Sequence, residues 1–163
     1  MMTPDEYIKD RNGKSYDYDG YYGAQCWDLW AHFCATAGYP VINCTDTGSA
    51  ADLWTQRNSS GVLKHFKAIS DKSKLKKGDW VIFGFGGETP SSHVGMYVSG
   101  NSSRANIFGQ NQRGGGSQSA CTVSISLSSF LGAFRPNCWG EKRKRLVLNC
   151  VCGLVISGHW EEY

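Results

Sequence analysis

The chain has 163 residues, of which 40% are hydrophobic and 19% are charged, and this balance excludes an intrinsically disordered protein. The length suffices for one domain with a hydrophobic core and little more. A formal net charge of +3 is too small to single out nucleic acid, anionic wall polymers or membranes as a partner. No stretch approaches 18 apolar residues, and the first residues lack the basic start and apolar run of a signal peptide.

The first predicted element is a short helix near the N-terminus. Thr3 supplies a capping oxygen, Pro4 suits the first turn, and Glu6 completes a capping box. Gly13 is expected to end the helix, because glycine adopts the left-handed conformation at little cost. Residues 14–25 are predicted to form a loop.

A second helix is predicted to begin at Cys26 and to end at Gly38. Its apolar positions recur at spacings of three and four, as expected for a buried helix: Cys26, Leu29, Trp30, Phe33 and Ala37. The N-terminus of a helix stabilises a thiolate through its unpaired N–H groups and its dipole, which predicts a reactive thiol at Cys26.

The rest of the chain reads as one short helix followed by strands. The helix is expected over Ala50–Gln56, capped by residues 47–49. Clusters of Gly, Ser, Asn and Pro separate six strand-like segments: Val62–Ile69, Trp80–Phe85, His93–Val98, Ala105–Phe108, Thr122–Leu127 and Ala133–Trp139. Helices first and strands later predict an α+β domain with an antiparallel sheet.

The composition changes after Trp139, where a charged run over 141–145 precedes an apolar run over 146–156. We therefore predict a domain over residues 1–139 and a basic and apolar tail over 140–163. The favoured interpretation of the tail is a linker with an extra hairpin or terminal strand. The alternatives are a segment that contacts polyanions and the remnant of a second domain.

Two patterns bear on metals and thiols. Seven cysteines are an odd number, so at least one stays free unless it pairs between chains. The spacing Cys150-Val151-Cys152 lacks the C-x₂-C pairs of zinc sites, and zinc is not expected. The Asp-x-Asp-Gly turn around Gly20 is typical of oxygen-rich loops that bind Ca²⁺, although an Asx turn without metal has the same pattern.

Catalysis by cysteine needs a base beside the sulfur and a third group that orients the base. His93 is the best candidate base, because it begins a predicted strand after a flexible run over 86–92. Asn111 follows the next strand-like segment, and its side-chain carbonyl can accept the imidazole N–H.

The sequence YDYDGYYGAQCWDL at residues 16–29 resembles the nucleophile segment of CHAP domains. These are the cysteine- and histidine-dependent amidohydrolase/peptidase modules of bacteriophage endolysins. Further segments follow in the order of the family: Leu75–Phe83, Ser92–Val98, Gln110-Asn111 and Phe134–Pro136. The resemblance covers about residues 3–139 and implies a papain-like α+β fold of the NlpC/P60 type, with N-terminal helices packed on an antiparallel sheet.

The resemblance also implies roles for individual residues. Cys26 would be the nucleophile, His93 the general base and then acid, and Asn111 the residue that orients His93. The Cys26 N–H would stabilise the oxyanion, with Gln25 suggested as a second donor. The family further implies a structural Ca²⁺ held by side chains and carbonyls of the acidic turn: Asp17, Asp19, Asp28, Tyr21 and Gly23.

Two positions depart from the family pattern. Gly109 stands where some relatives carry an acidic residue, and Gln112 replaces the tryptophan that follows the asparagine. The resemblance therefore leaves Asn111 as the expected partner of His93, as in Cys-His-Asn sites.

The expected function is that of a phage-type endolysin that hydrolyses an amide bond of bacterial, and specifically Gram-positive, peptidoglycan. The bond would be the N-acetylmuramoyl-L-alanine amide or a cross-bridge peptide bond. We expect a monomer without nucleic-acid or membrane partners, made in the host cytoplasm without a signal peptide and acting on the wall after release. The alternatives are a papain-like peptidase that acts on proteins and an inert wall-binding module.

Overall fold

A computed structural model describes residues 2–112 and 118–139, and the backbone alone of 144–151 and 154–162. Three helices come first: α1 (Pro4–Arg11), α2 (Cys26–Thr36) and α3 (Asp52–Thr55). Six strands follow in the same part of the chain: β1 (Phe66–Ile69), β2 (Trp80–Phe83), β3 (His93–Gly100), β4 (Arg104–Gly109), β5 (Cys121–Ser126) and β6 (Phe130–Pro136). Strands β7 (Lys144–Val151) and β8 (Leu154–Glu162) complete the described backbone.

Strands β1 to β6 form one antiparallel sheet in the order β1-β6-β2-β3-β4-β5. This arrangement confirms the predicted papain-like α+β class. Strands β7 and β8 pair only with each other within the described backbone, as an antiparallel two-stranded sheet. The division into a domain over 1–139 and a tail over 140–163 stays a prediction.

The two N-terminal helices form where the sequence predicts them. At α1 the Thr3 hydroxyl accepts the Glu6 N–H at 3.3 Å, and the Glu6 carboxylate accepts the Thr3 N–H at 2.7 Å. Both bonds of the capping box are therefore present. Among the described residues, no helix is long and apolar enough to cross a membrane.

Aromatic side chains join α2 to the centre of the sheet. The Trp30 ring meets Trp80 of β2 edge to face at 5.5 Å, and Phe33 lies 5.2 Å from the same indole. Trp30 and Trp80 are completely buried. Burying a large apolar side chain stabilises the fold by about 1.5–3 kcal/mol, so this contact holds α2 against β2.

Three predicted elements have wrong bounds. The strand expected over Ala133–Trp139 is β6, which begins at Phe130 and ends at Pro136. Val62–Lys64 form a 3₁₀ turn after Gly61, whose φ is +80°, and β1 begins only at Phe66. Residues 47–49, predicted to cap a helix over Ala50–Gln56, do not cap α3, which begins only at Asp52. Instead, the buried Asp52 carboxylate accepts the backbone N–H groups of Asp46, Thr47 and Gly48 at 2.7–3.0 Å, which winds this loop around the first turn of the helix.

Candidate active site

The loop that leads into α2 is held by one buried glutamine. Gln110 directly follows β4 and is fully buried. Its Oε1 accepts the Tyr16 N–H at 2.8 Å, and its Nε2 donates to the carbonyls of Tyr16 at 2.8 Å and Gln25 at 2.9 Å. Both ends of the loop are thereby tied to the sheet. Sequence reasoning assigned Gln110 no role, although a polar residue directly after a buried strand was the available signal.

Cys26 is the first residue of α2 and carries a free thiol. Burial raises the pKa of this thiol, and the backbone N–H groups of Val94, Trp27 and Cys26 itself offset the rise only in part. The net direction is opposite to the one expected from the helix terminus alone, because desolvation of the thiolate is the larger effect. The Val94 N–H that acts on the thiol belongs to the residue directly after His93.

His93 begins β3 and is only 4% exposed. Burial lowers its pKa to about 4, although a hydrogen bond to the Gln112 side-chain oxygen acts in the opposite direction. The ring lies 6.1 Å from the Phe83 ring on β2. The imidazole is therefore neutral near neutral pH and can accept a proton.

The side chains at 111 and 112 differ from the prediction. Gln112 Oε1 lies 3.1 Å from His93 Nε2. Asn111 Nδ2 instead donates to Gln25 Oε1 at 2.5 Å, and among the hydrogen bonds of the described residues none joins Asn111 to His93. Gln25 Nε2 donates to the Tyr22 carbonyl at 2.6 Å. The oxyanion role suggested for Gln25 stays a prediction.

An open groove of about 1140 Å³ runs past Cys26. Tyr21 and Tyr22 stand on its rim and are 69% and 92% exposed. Cys44 and Ser91 line it further along. A groove with the Cys26 thiol and exposed phenol rings suits an extended polar chain with apolar side groups.

The acidic turn brings three carboxylates together. One oxygen each of Asp17, Asp19 and Asp28 lie within 4.8 Å of one another. Two oxygens on opposite sides of a Ca²⁺ ion are about 5 Å apart, since each lies 2.3–2.6 Å from the metal. The carboxylates therefore fit a calcium ion.

Asp28 is the buried member of this group. It accepts the N–H groups of Tyr18 at 2.8 Å and Gln25 at 2.7 Å, and burial raises its pKa despite these bonds. Asp28 thus connects the acidic turn to the start of α2. Tyr21 and Gly23 stay predicted carbonyl ligands.

The sheet order and the helix that carries Cys26 define a papain-like α+β domain. The model of the CHAP domain family matches residues 15–111, which is more than half of the chain. The chain therefore belongs to the CHAP domain family.

Three known proteins resemble the chain. A D-alanyl-L-alanine endopeptidase of Streptococcus phage B30 is 42% identical over 139 residues, which are 83% of this chain and 30% of the relative. The chain thus spans about a third of that relative's length. The solved structure of the wild-type endolysin LysIME-EF1 has a TM-score of 0.66 at 24% identity, covering 86% of this chain and 67% of the endolysin. The structure of Ly7917 has a TM-score of 0.56 at 14% identity, covering 99% of this chain and 79% of Ly7917. These two structures support the fold.

Proposed function

We propose that the chain is a peptidoglycan hydrolase of the endolysin type, with Cys26 as nucleophile and His93 as general base. The observation that supports this most directly is the position of the Cys26 thiol, which lines an open groove and whose raised pKa is partly offset by the backbone N–H of Val94, the residue after His93. Family membership and the 42% identity to a phage endopeptidase support the reaction class.

The reaction is acyl transfer in two stages. His93 takes the Cys26 proton as the sulfur attacks the amide carbonyl, and the imidazolium then protonates the leaving amine. Water, deprotonated by His93, attacks the thioester and releases the acid and the free thiol. Since the Cys26 pKa is raised and the His93 pKa is lowered, both groups start uncharged, and proton transfer accompanies attack.

The proposed bond is a D-alanyl-L-alanine cross-bridge bond, by analogy with the named phage relative. The Streptococcus host of that phage supports a Gram-positive wall as the substrate of this chain. Likeness to endolysins supports action on the wall after release from the host cytoplasm. We further propose that the protein acts as a monomer, which gel filtration with light scattering tests.

Digestion of purified walls tests this function. We expect new D-alanine carboxyl termini on stem peptides that remain attached to muramic acid, detected by mass spectrometry. Cys26→Ser should reduce their release by at least about 10³-fold, because a serine hydroxyl is a much weaker nucleophile than a cysteine thiol. Peptides freed from the glycan would indicate an amidase instead. Cleavage of an unfolded protein without any muropeptide release would contradict the proposal.

We also propose that the acidic turn binds Ca²⁺ as a structural ion. The converging oxygens of Asp17, Asp19 and Asp28 support this. Bound calcium would hold the loop between Gly20 and Cys26 and neutralise the carboxylates.

Calorimetric titration and thermal unfolding test the ion. Calcium should bind the wild type and raise its Tm, and Asp17→Asn with Asp19→Asn should abolish both effects. Asp46→Asn, an exposed aspartate outside the cluster, should keep them and serves as the matched control. An equal rise in Tm with and without the two substitutions would contradict the proposed site.

A further inference from the structure

The Gln112 carboxamide lies between the His93 ring and two backbone carbonyls. Its Nε2 donates to the carbonyl of Ile107 at 3.1 Å and to that of Cys121, at the paired ends of β4 and β5. Its Oε1 lies 3.1 Å from His93 Nε2. All of these partners are fixed by the sheet.

These contacts determine the protonation pattern of the imidazole. Only the NH₂ end of a carboxamide can donate, so the two carbonyls orient Nε2 of Gln112 toward themselves and Oε1 toward His93. Oε1 can only accept, and His93 Nε2 must therefore carry the hydrogen. The neutral ring then has its lone pair at Nδ1, where it can take up a proton.

We propose that Gln112 is the positioning residue of the site: it holds His93 in the Nε2–H tautomer and leaves Nδ1 as the base. The proposal rests on the proposed function of His93 as the base. It assigns to Gln112 the role that the sequence suggested for Asn111.

Gly109 makes this arrangement possible. A Cβ at position 109 would lie 2.8 Å from Gln112 Oε1 and 3.1 Å from His93 Nε2. The space beside the imidazole can thus hold either a side chain from position 109 or the carboxamide from position 112. The two departures from the family pattern, Gly109 and Gln112, are therefore one coupled change.

No other polar side chain among the described residues takes the place of Gln112. Asn111 has a φ of +51° and its amide donates to Gln25. The described neighbours of the ring are uncharged: Phe83 on β2, Gly95 on β3 and Gly109 on β4. A neutral acceptor is therefore what orients His93.

The site also needs an amide and not a carboxylate at this position. In a Gln112→Glu variant, a carboxylate oxygen would replace Nε2 and face two carbonyl oxygens without a donor. Buried acceptors without donors are unfavourable. We expect Gln112→Glu to fail as a replacement, although it keeps the length and the oxygen that faces His93.

NMR of protein labelled with ¹⁵N-histidine tests the proposal without any substrate. The chemical shifts of Nδ1 and Nε2 distinguish the two tautomers, and a His93→Gln variant assigns the signals among the four histidines. Near neutral pH the wild type should show the Nε2–H form. Gln112→Met, which fills a similar volume without an acceptor, should give a mixture, whereas Asn111→Ala should leave the tautomer unchanged.

Gly109→Ala provides a second route that keeps Gln112. The added methyl group should displace Oε1 and mix the tautomers, whereas in a Gln112→Met background it should change them little further. Retention of the pure Nε2–H form in both folded Gln112→Met and folded Gly109→Ala would overturn the proposal. So would a tautomer change in Asn111→Ala alone.

Wall digestion provides the functional readout. Loss of one oriented hydrogen bond is expected to reduce the rate of Gln112→Met by about 10- to 100-fold. If the wild type does not digest walls at all, the proposed function fails, and the NMR result still decides whether Gln112 sets the tautomer. An unchanged digestion rate together with a mixed tautomer would overturn the positioning role.

Discussion

Gln110 shows how much one buried carboxamide contributes to this site. Its oxygen and both amide hydrogens are used, since it accepts one N–H and donates to two carbonyls. A carboxylate cannot reproduce this pattern, because it offers no hydrogen to the carbonyls of Tyr16 and Gln25.

We therefore expect Gln110→Glu to lower the free energy of unfolding by about 2–4 kcal/mol, from the lost bonds and the buried charge. Wall digestion should fall with it, because the loop that leads to Cys26 loses its attachment. Urea unfolding measures the first effect. Gln56→Glu is the matched control, since Gln56 accepts a hydrogen bond from the Thr45 hydroxyl and glutamate keeps that acceptor. Equal effects of the two substitutions would contradict the role of Gln110.

The residues of the site were predictable from sequence to different degrees. Cys26 and His93 follow from local signals, a helix start and a strand start, and both occupy those places. The partner of His93 did not follow, because Asn111 and Gln112 carry the same functional group. Which of them reaches the ring depends on the left-handed turn at Asn111 and on the space left by Gly109. Neither feature produces a periodic pattern in the sequence from which it could be predicted.

At the scale of elements, periodicity predicted α2 and β2 well because both pack against the aromatic core. Periodicity predicted the wrong bounds where local hydrogen bonds determine the backbone conformation. Residues 47–49 contain good capping residues, but the Asp52 carboxylate accepts the N–H groups of Asp46, Thr47 and Gly48 from within the helix. The segment from Val62 has strand-forming residues, yet it starts as a 3₁₀ turn. In both segments, hydrogen bonds between residues close in sequence determine the backbone conformation, and the apolar pattern does not.

At the scale of the whole molecule, burial of neutral His93 couples stability to pH. The folded pKa is about 4 and the ordinary value is 6.5, so the unfolded chain binds more protons between these values. The free energy of unfolding therefore falls as the pH drops from 6.5 through 4, and the stabilising contribution is complete above 6.5. The full loss is about 3 kcal/mol.

Urea unfolding at a series of pH values measures this slope. His93→Gln removes the titrating group, so its stability should fall less over the same window, whatever its absolute stability. His32, whose pKa burial also lowers, adds to the slope of both proteins, so the difference between the two slopes isolates His93. Identical slopes in the wild type and His93→Gln would contradict the prediction.

The end of β4 has a consequence for how the site can fail. Three consecutive residues with carboxamide side chains follow this strand. Gln110 binds the loop before Cys26, Asn111 contacts Gln25, and Gln112 contacts His93. Local unfolding commonly proceeds in cooperative units. Opening at this one strand end would release the loop of the nucleophile and the partner of the base in the same event, so the nucleophile and the base would be lost together.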